Sequence, residues 1–366
     1  MNALLKETGN FTVVSETLNR KIEWEIKRDA IINSILESFD ERNTIVMIEG
    51  DSNSGKFTLM SQFVRTNPER TISFFIGSDY WKSNLNYFLK DMSKQMLNLV
   101  SKKTRERMKN IDLDDQLNKE RLLTVFNTLY ADICNQSKKG KGPFYFVIDG
   151  LDKILNNEIE TIITYLPKGD IDGVYILLSS TKDLIGRYDF NYRPFKIPNF
   201  SKLETTHLFK DYLENEEIEI IFEACKGFPG YVGEIRRQLH LEKYSKNDIL
   251  KNLPNEFEKY LERIWINVKQ SEDELLDFFA LITFSPEQLS IEDCISILGS
   301  NEEKILSYCD EFSIIEINER KLEFIPTYKK FFNLKLESYK FETQQKLITF
   351  YEGNIGFTSR FWTQKD

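Results

Sequence analysis

The sequence predicts an α/β fold: a parallel sheet with helices on both faces, then a run of short helices, then a three-helix unit closed by a β-hairpin. Three observations predict it. Four short, nearly unbroken apolar runs, at 43–50, 71–77, 144–150 and 173–180, read as strands, the first three of them buried, and 194–198 reads as a fifth. Helical stretches separate them, and strands that alternate with helices make a parallel sheet. Beyond residue 259, three helical segments precede two alternating runs joined by a polar turn, which is the order of a winged helix.

Taken in order, residues 1–20 are polar and aperiodic and read as a flexible N-terminal arm. In 24–40, WEIKRDAIINSILESFD, the residues Ile31, Ile32, Ile35, Leu36 and Phe39 share one helical face. NTIVMIEG (43–50) is a strand that ends in Gly50, and SGKFTLMSQFV continues as a helix. TISFFIG (71–77) is the second strand, followed by a helix over about 83–104. The charged run at 102–120 reads as a surface excursion. A helix, ERLLTVFNTLYADICN, and a basic loop, SKKGKGP, lead into the third strand, FYFVIDG (144–150). GVYILLSS (173–180) and PFKIP (194–198) complete the sheet. The expected division is an arm at 1–20, a sheet domain at 21–198, a helical unit at 199–258 broken at KGFPGYV (226–232), a winged helix at 259–345 and a tail at 346–366. The winged helix comprises SEDELLDFFALITF, SIEDCISIL and NEEKILSYCDEF, then a hairpin over 313–325.

Composition narrows the chemistry. A chain of 366 residues suits two or three domains. With only 2 His, neither a histidine-rich metal site nor histidine-driven acid–base catalysis is expected. The net charge of −9 gives a field that does not attract nucleic acid. Cys134, Cys225, Cys294 and Cys309 form no Cys-x-x-Cys pair, so they read as buried thiols in a reducing compartment rather than as a zinc or redox motif. MNALLKETGNFTVV lacks a charged start followed by an apolar core, so no signal peptide is read. No apolar run approaches the roughly 20 residues that span a bilayer. A cytoplasmic location without membrane contact is therefore expected.

Gly50-Asp51-Ser52-Asn53-Ser54-Gly55-Lys56 is G-x-x-x-x-G-K between a buried strand and a helix. The glycines let the backbone wrap so that successive N–H groups point at phosphate oxygens, and the helix N-terminus adds its positive end. Lys56 then reaches the β and γ phosphates. Where Ser or Thr ordinarily holds Mg²⁺, the next residue is Phe57. Thr58 follows, turned about 100° further round the helix. Either Mg²⁺ is held through Asp149 and waters, or metal use is weakened and binding outlasts hydrolysis.

The run Phe144–Asp149 ends in a carboxylate at the close of a buried strand, a costly place for an unpartnered charge. A Walker B role for Asp149, holding Mg²⁺ directly or through water, supplies the partner. Asp152, three residues on, either orients or deprotonates an attacking water or caps a helix. Strand 71–77 falls between the two motifs in sequence, as in the P-loop NTPase division with an additional strand between its Walker A and Walker B strands. Ser179, Ser180, Thr181 and Lys182 close the fourth strand, either as a γ-phosphate sensor or as an ordinary polar strand end.

This order of motifs resembles the STAND class of P-loop ATPases, which includes the NACHT and apoptotic-ATPase types, over about 22–345. Trp24-Glu25-Ile26-Lys27-Arg28-Asp29 looks like the motif that opens the class, with Lys27 where Gly is usual, and the resemblance places Arg28 near the nucleotide. Asp149-Gly150-Leu151-Asp152 is similar to its extended Walker B, with Lys153 where a further acid is common. Lys182 stands where the class often has Arg. Gly227-Phe228-Pro229 looks like the Gly-x-Pro of a helical lid, which implies that 199–258 is the lid and that Pro229 packs near the adenine. After the hairpin, Phe324-Ile325-Pro326-Thr327-Tyr328 lacks the histidine that touches the ADP phosphate in many relatives.

The resemblance implies an ATP/ADP-binding regulatory switch with Mg²⁺ and slow or absent hydrolysis. It would control self-association, or a separate effector or sensor protein, with a place in bacterial antiviral defence. The effector and sensor domains usual in the class would then belong to a longer protein of which this is the core, or to separate subunits. Two alternatives stand beside it: a DNA-binding winged-helix ATPase of archaeal or origin-binding type, and a scaffold that binds nucleotide without hydrolysing it. Nucleic acid is the less favoured partner, because NEEKILSYCDEF carries more acid than base. No arginine finger is assigned among Arg187, Arg193, Arg236 and Arg237.

Overall fold

The computed structural model describes residues 25–40, 44–76, 84–111, 113, 119–153, 162, 164–166, 171–181, 191–241, 245–251 and 253–353. The chain forms two compact units, Met1–Asp211 and Tyr212–Asp366.

The first unit is built on a five-stranded parallel sheet. Its strands are β1 (Ile45–Glu49), β2 (Thr71–Phe75), β3 (Phe144–Asp149), β4 (Val174–Ser180) and β5 (Arg193–Lys196), in the order β2-β3-β4-β1-β5. The predicted α/β class with a parallel sheet is what forms. The strand between the two motif-bearing strands is β4, while β2 lies at the edge.

Side chains alternate between two cores, as a period of two requires. Phe144, Phe146 and Ile148 of β3, with Ile72, Phe74, Ile176 and Leu178, pack against α3 (Leu85–Leu99) and α5 (Lys119–Gln136). Tyr145, Val147 and Leu177 face the other way, onto α1 (Asp29–Ser38) and α2 (Lys56–Thr66). The edge of β2 is covered from α3. The Gln95 amide donates to Ser73 O (2.7 Å), and its oxygen accepts from Ser73 N (2.8 Å). Gln95 Nε2 also donates to Asp91 Oδ2 (2.8 Å), and burial pushes the Asp91 carboxyl up to about 6.

The helix expected over 83–104 is interrupted. Its residues form α3 and a separate α4 (Lys102–Met108) that extends into the charged run. The reason is local. Ser101 caps α4 through Thr104 N, and Asp132 accepts from Ser101 N, Ser101 Oγ and Thr104 Oγ1 at 2.7–2.9 Å. Thr104 and Met108, one turn apart, are buried beneath the exposed cations. The first unit closes with α6 (Lys202–Phe209), whose Ser201 and Glu204 form a capping box.

The second unit is helical: α7 (Asn215–Cys225), α8 (Pro229–Leu241), α9 (Lys246–Lys251) and α10 (Phe257–Gln270) come first. Then α11 (Asp273–Phe284), α12 (Ile291–Leu298) and α13 (Glu302–Phe312) precede the hairpin β6 (Ile315–Asn318) and β7 (Lys321–Phe324), in winged-helix order. Helices α14 (Pro326–Lys335) and α15 (Lys340–Gly353) follow. The core of this unit is aromatic: Phe279, Phe324 and Phe332 meet with ring centres 5.1–5.4 Å apart. Among the described residues, no helix is long and apolar enough to cross a membrane.

Candidate functional site

The loop from Gly50 to Lys56 leaves the carboxyl end of β1, a central strand, and enters α2. Two residues turn it through left-handed backbone, Asn53 (φ 64°) and Gly55 (φ 86°). Asn tolerates that region, and Gly has no Cβ to oppose it. Gly50 is required for space. A Cβ there would stand 2.5 Å from Ser54 Oγ and 2.9 Å from Ile197 Cγ2. Gly55 caps α2, and Lys56 is its first residue. The Lys56 ammonium folds over the loop, donating to Gly50 O (2.7 Å) and Asp51 O (2.8 Å). The Ser54 hydroxyl is buried with no hydrogen-bond partner among the described residues. Asp51 is exposed and Ser52 half-buried at the rim.

Asp149 ends β3 and is 2% exposed. Ile148 pairs with Leu178, so Asp149 and Ser179 come next along their strands. The fully buried Ser179 hydroxyl donates to Asp149 Oδ1 (2.5 Å) and accepts from Gly150 N (2.9 Å). Gly150 adopts φ 83°, turning the chain into a short 3₁₀ segment, Leu151–Lys153, where Asp152 is half-buried. Asp149 and the loop thus belong to strands separated only by β4, at the same end of the sheet.

Phe57 turns toward β2. Its ring meets Phe75 edge-on at 5.4 Å and joins the core beneath α1 and α2. Phe75 pairs in register with Asp149. An apolar contact therefore stands where a hydroxyl is usual. Thr58, the next residue, is half-buried.

Residues 22–180, which contain both elements, match the family model for the N-terminal region of nephrocystin 3. The match covers the part of the chain that carries both elements, and that part is similar to a P-loop domain of the STAND type. Comparison with curated proteins gave no match. Among solved structures, a STAND protein with a tetratricopeptide repeat sensor from Pyrococcus horikoshii aligns at 13% identity and TM-score 0.49, covering 93% of this chain and 47% of that one. The chain thus spans about half the length of that protein. A Walker-type ATPase of Pyrococcus abyssi aligns at 12% identity and TM-score 0.45 over 86% of this chain and 99% of that one. Cdc6p from Pyrobaculum aerophilum aligns at 10% identity and TM-score 0.41 over 92% and 98%.

Within the matched region, Arg28 precedes α1 and is 8% exposed. Its guanidinium donates to Glu204 Oε1 (2.9 Å), Pro198 O (2.9 Å) and Asn199 O (3.0 Å), and lies over the Phe200 ring at 5.2 Å. Its backbone N–H meets Gln62 Oε1 of α2 (3.0 Å), and Gln62 Nε2 donates to Ile26 O (2.6 Å). The residue thus ties the phosphate-loop helix to the segment leaving the sheet. Burial alone would raise the Glu204 carboxyl. Hydrogen bonds from Ser201 and the Arg28 charge outweigh it and hold Glu204 below the ordinary carboxylate range.

Sequence reasoning missed these partners, which lie 34 and 176 residues from Arg28 with no local pattern to join them. It also singled out Ser179 without its tie to Asp149. Trp24, Lys182 and Arg187 lie outside the described residues. Pro229 opens α8 in the second unit, with Phe228 between it and left-handed Lys226 and Gly227. The described finger candidates are engaged within their own units. Arg193 donates to Ser38 O (3.2 Å), Arg236 stacks on Tyr212 at 4.2 Å, and Arg237 pairs with Glu234.

Proposed function

We propose that the chain is a regulatory nucleotide switch that binds ATP and ADP at Gly50–Lys56, turns over slowly or not at all, and controls self-association or a separate partner. One observation carries the reading. The loop combines an ammonium already held at its mouth with a buried, unsatisfied Ser54 hydroxyl. An unmade buried bond costs about 1–3 kcal/mol, which a phosphate oxygen would recover. Lys56 would exchange backbone carbonyls for phosphate oxygens, and the amino end of α2 would add its dipole.

Mg²⁺ suits the donors present. It ordinarily takes one or two carboxylates plus substrate phosphates and waters, and Asp149 offers one carboxylate. When bound, it would neutralise charge on the phosphates. Asp152 would orient or deprotonate a water. Without a hydroxyl at position 57 the metal has one protein ligand fewer, which supports slow or absent hydrolysis. Arg28 enters the reading as a structural tie, and Pro229 as the lid residue that reports the nucleotide. A role in antiviral defence rests on the class resemblance alone.

The surface chemistry of the winged helix argues for a protein partner over DNA. The exposed positions of α13 include Glu302, Glu303, Asp310 and Glu311, while Lys304 is drawn to Glu272 and Glu274. A helix with that face repels phosphate. The same face exposes Leu306, and the hairpin exposes Ile317.

Light scattering in the presence of ADP and of a non-hydrolysable ATP analogue tests the switch. The ATP analogue is expected to raise the mass, or to expose a binding surface for an added partner, while ADP leaves the protein unchanged. Identical mass and identical protease sensitivity in both states would refute it.

A further inference from the structure

We propose that Ser179 is a positioning residue for Asp149, its hydroxyl aiming the carboxylate that would meet the metal. The inference rests on the nucleotide reading and adds to it the means by which the metal-binding carboxylate is aimed.

Asp149 and Ser179 are almost completely withdrawn from solvent, at 2% and 0% exposure. A carboxylate so placed needs a donor to hold it. In a P-loop that carries Ser or Thr after the lysine, a hydroxyl lies at the metal site. Here that residue is Phe57, whose ring is committed to Phe75 on β2. That leaves Asp149 as the protein's carboxylate for the metal, and a hydroxyl of the neighbouring strand holds it, 2.5 Å from Asp149 Oδ1.

The orientation of that hydroxyl is fixed. Ser179 Oγ accepts from Gly150 N at 2.9 Å, so its one proton is directed at Asp149. The contact holds the carboxyl group in one orientation while leaving it lone pairs with which to meet a cation. Both partners sit on central strands paired in register, so neither end of the bond can drift. Partners of this kind around a metal ligand are worth about 10–100-fold in metal affinity.

The test is calorimetric titration of ATP, with and without Mg²⁺, on the wild type, Ser179→Ala and Ser179→Thr. Circular dichroism and melting establish that each variant folds. Ser179→Ala is expected to leave Mg²⁺-free affinity within about twofold and to reduce the Mg²⁺-dependent gain by about tenfold, with Ser179→Thr restoring most of that gain. Alanine and wild type with the same Mg²⁺ gain would overturn the proposal, as would equal losses with and without Mg²⁺, which mark a merely structural residue. Wild type that binds nucleotide with no Mg²⁺ gain overturns it too, with the nucleotide reading intact. Wild type that binds nucleotide in neither condition sinks both.

Discussion

Phe57→Thr restores a hydroxyl to the position after Lys56, and its two consequences have opposite signs. The Phe57 ring is half-buried and meets Phe75 edge-on at 5.4 Å. A fully buried Phe is worth roughly 3 kcal/mol, so half of that is lost, together with about 0.5–1.5 kcal/mol for the aromatic pair. The variant should be destabilised by about 2 kcal/mol. At about 2–4 °C per kcal/mol for a unit of this size, the melting temperature falls by about 4–8 °C. In return, a hydroxyl ligand joins the Asp149 carboxylate, and the Mg²⁺-dependent gain in ATP affinity should rise about tenfold. Urea unfolding measures the first effect, and calorimetry with and without Mg²⁺ the second. A variant that is destabilised as expected but shows no greater Mg²⁺ gain would refute the argument that Phe57 displaces a metal ligand.

Two further predictions concern buried charge. Asp91 titrates at about 6 when folded, against 3.8 for the free group. Its favourable contribution is therefore complete below about pH 4 and lost as pH rises through 6, a change of about 3 kcal/mol. Asp91→Asn should match the wild type at pH 4 and exceed its stability at pH 8 by up to about that amount. A difference in unfolding free energy that does not vary with pH would contradict this. In the second unit, Glu234 is buried on α8 between Arg237 (2.7 and 2.9 Å), Gln238 (2.7 Å) and Tyr260 (3.4 Å), and Arg237 also reaches Ser313 O (2.5 Å). Glu234→Gln leaves the half-buried Arg237 guanidinium without its counter-charge and should cost about 3 kcal/mol, whereas Glu234→Leu combined with Arg237→Met should cost much less. Similar losses in the single and double variants, measured by urea unfolding, would show that the pair is not the source of the cost.

The parts of the site written in consecutive residues were legible in the sequence. Strand, glycine turn and helix follow one another from Ile45 to Thr66, and the apolar run into Asp149 announces its own strand end. Parallel pairing followed from the alternation of strands with helices. The edge position of β2 did not, because the order in which strands assemble depends on crossovers that no local pattern encodes. Helix α4 was hidden for a different reason. Its exposed face is all charge, and only Thr104 and Met108 turn inward, too few to register as a period. Arg28 shows the limit most clearly. Its sequence neighbourhood resembles a nucleotide-facing motif, and no local pattern announces the partners of its guanidinium, a carboxylate and two carbonyls from residues 198–204.

The central claim is that Gly50–Lys56 binds nucleotide phosphate, and calorimetry of ATP and ADP on wild type and Lys56→Ala tests it most directly. The account predicts micromolar or tighter binding by the wild type and its loss in the variant, which removes the ammonium held at the Gly50 and Asp51 carbonyls while leaving the fold intact. Folded wild type that binds neither nucleotide, or a variant that binds both as well as the wild type, would contradict it.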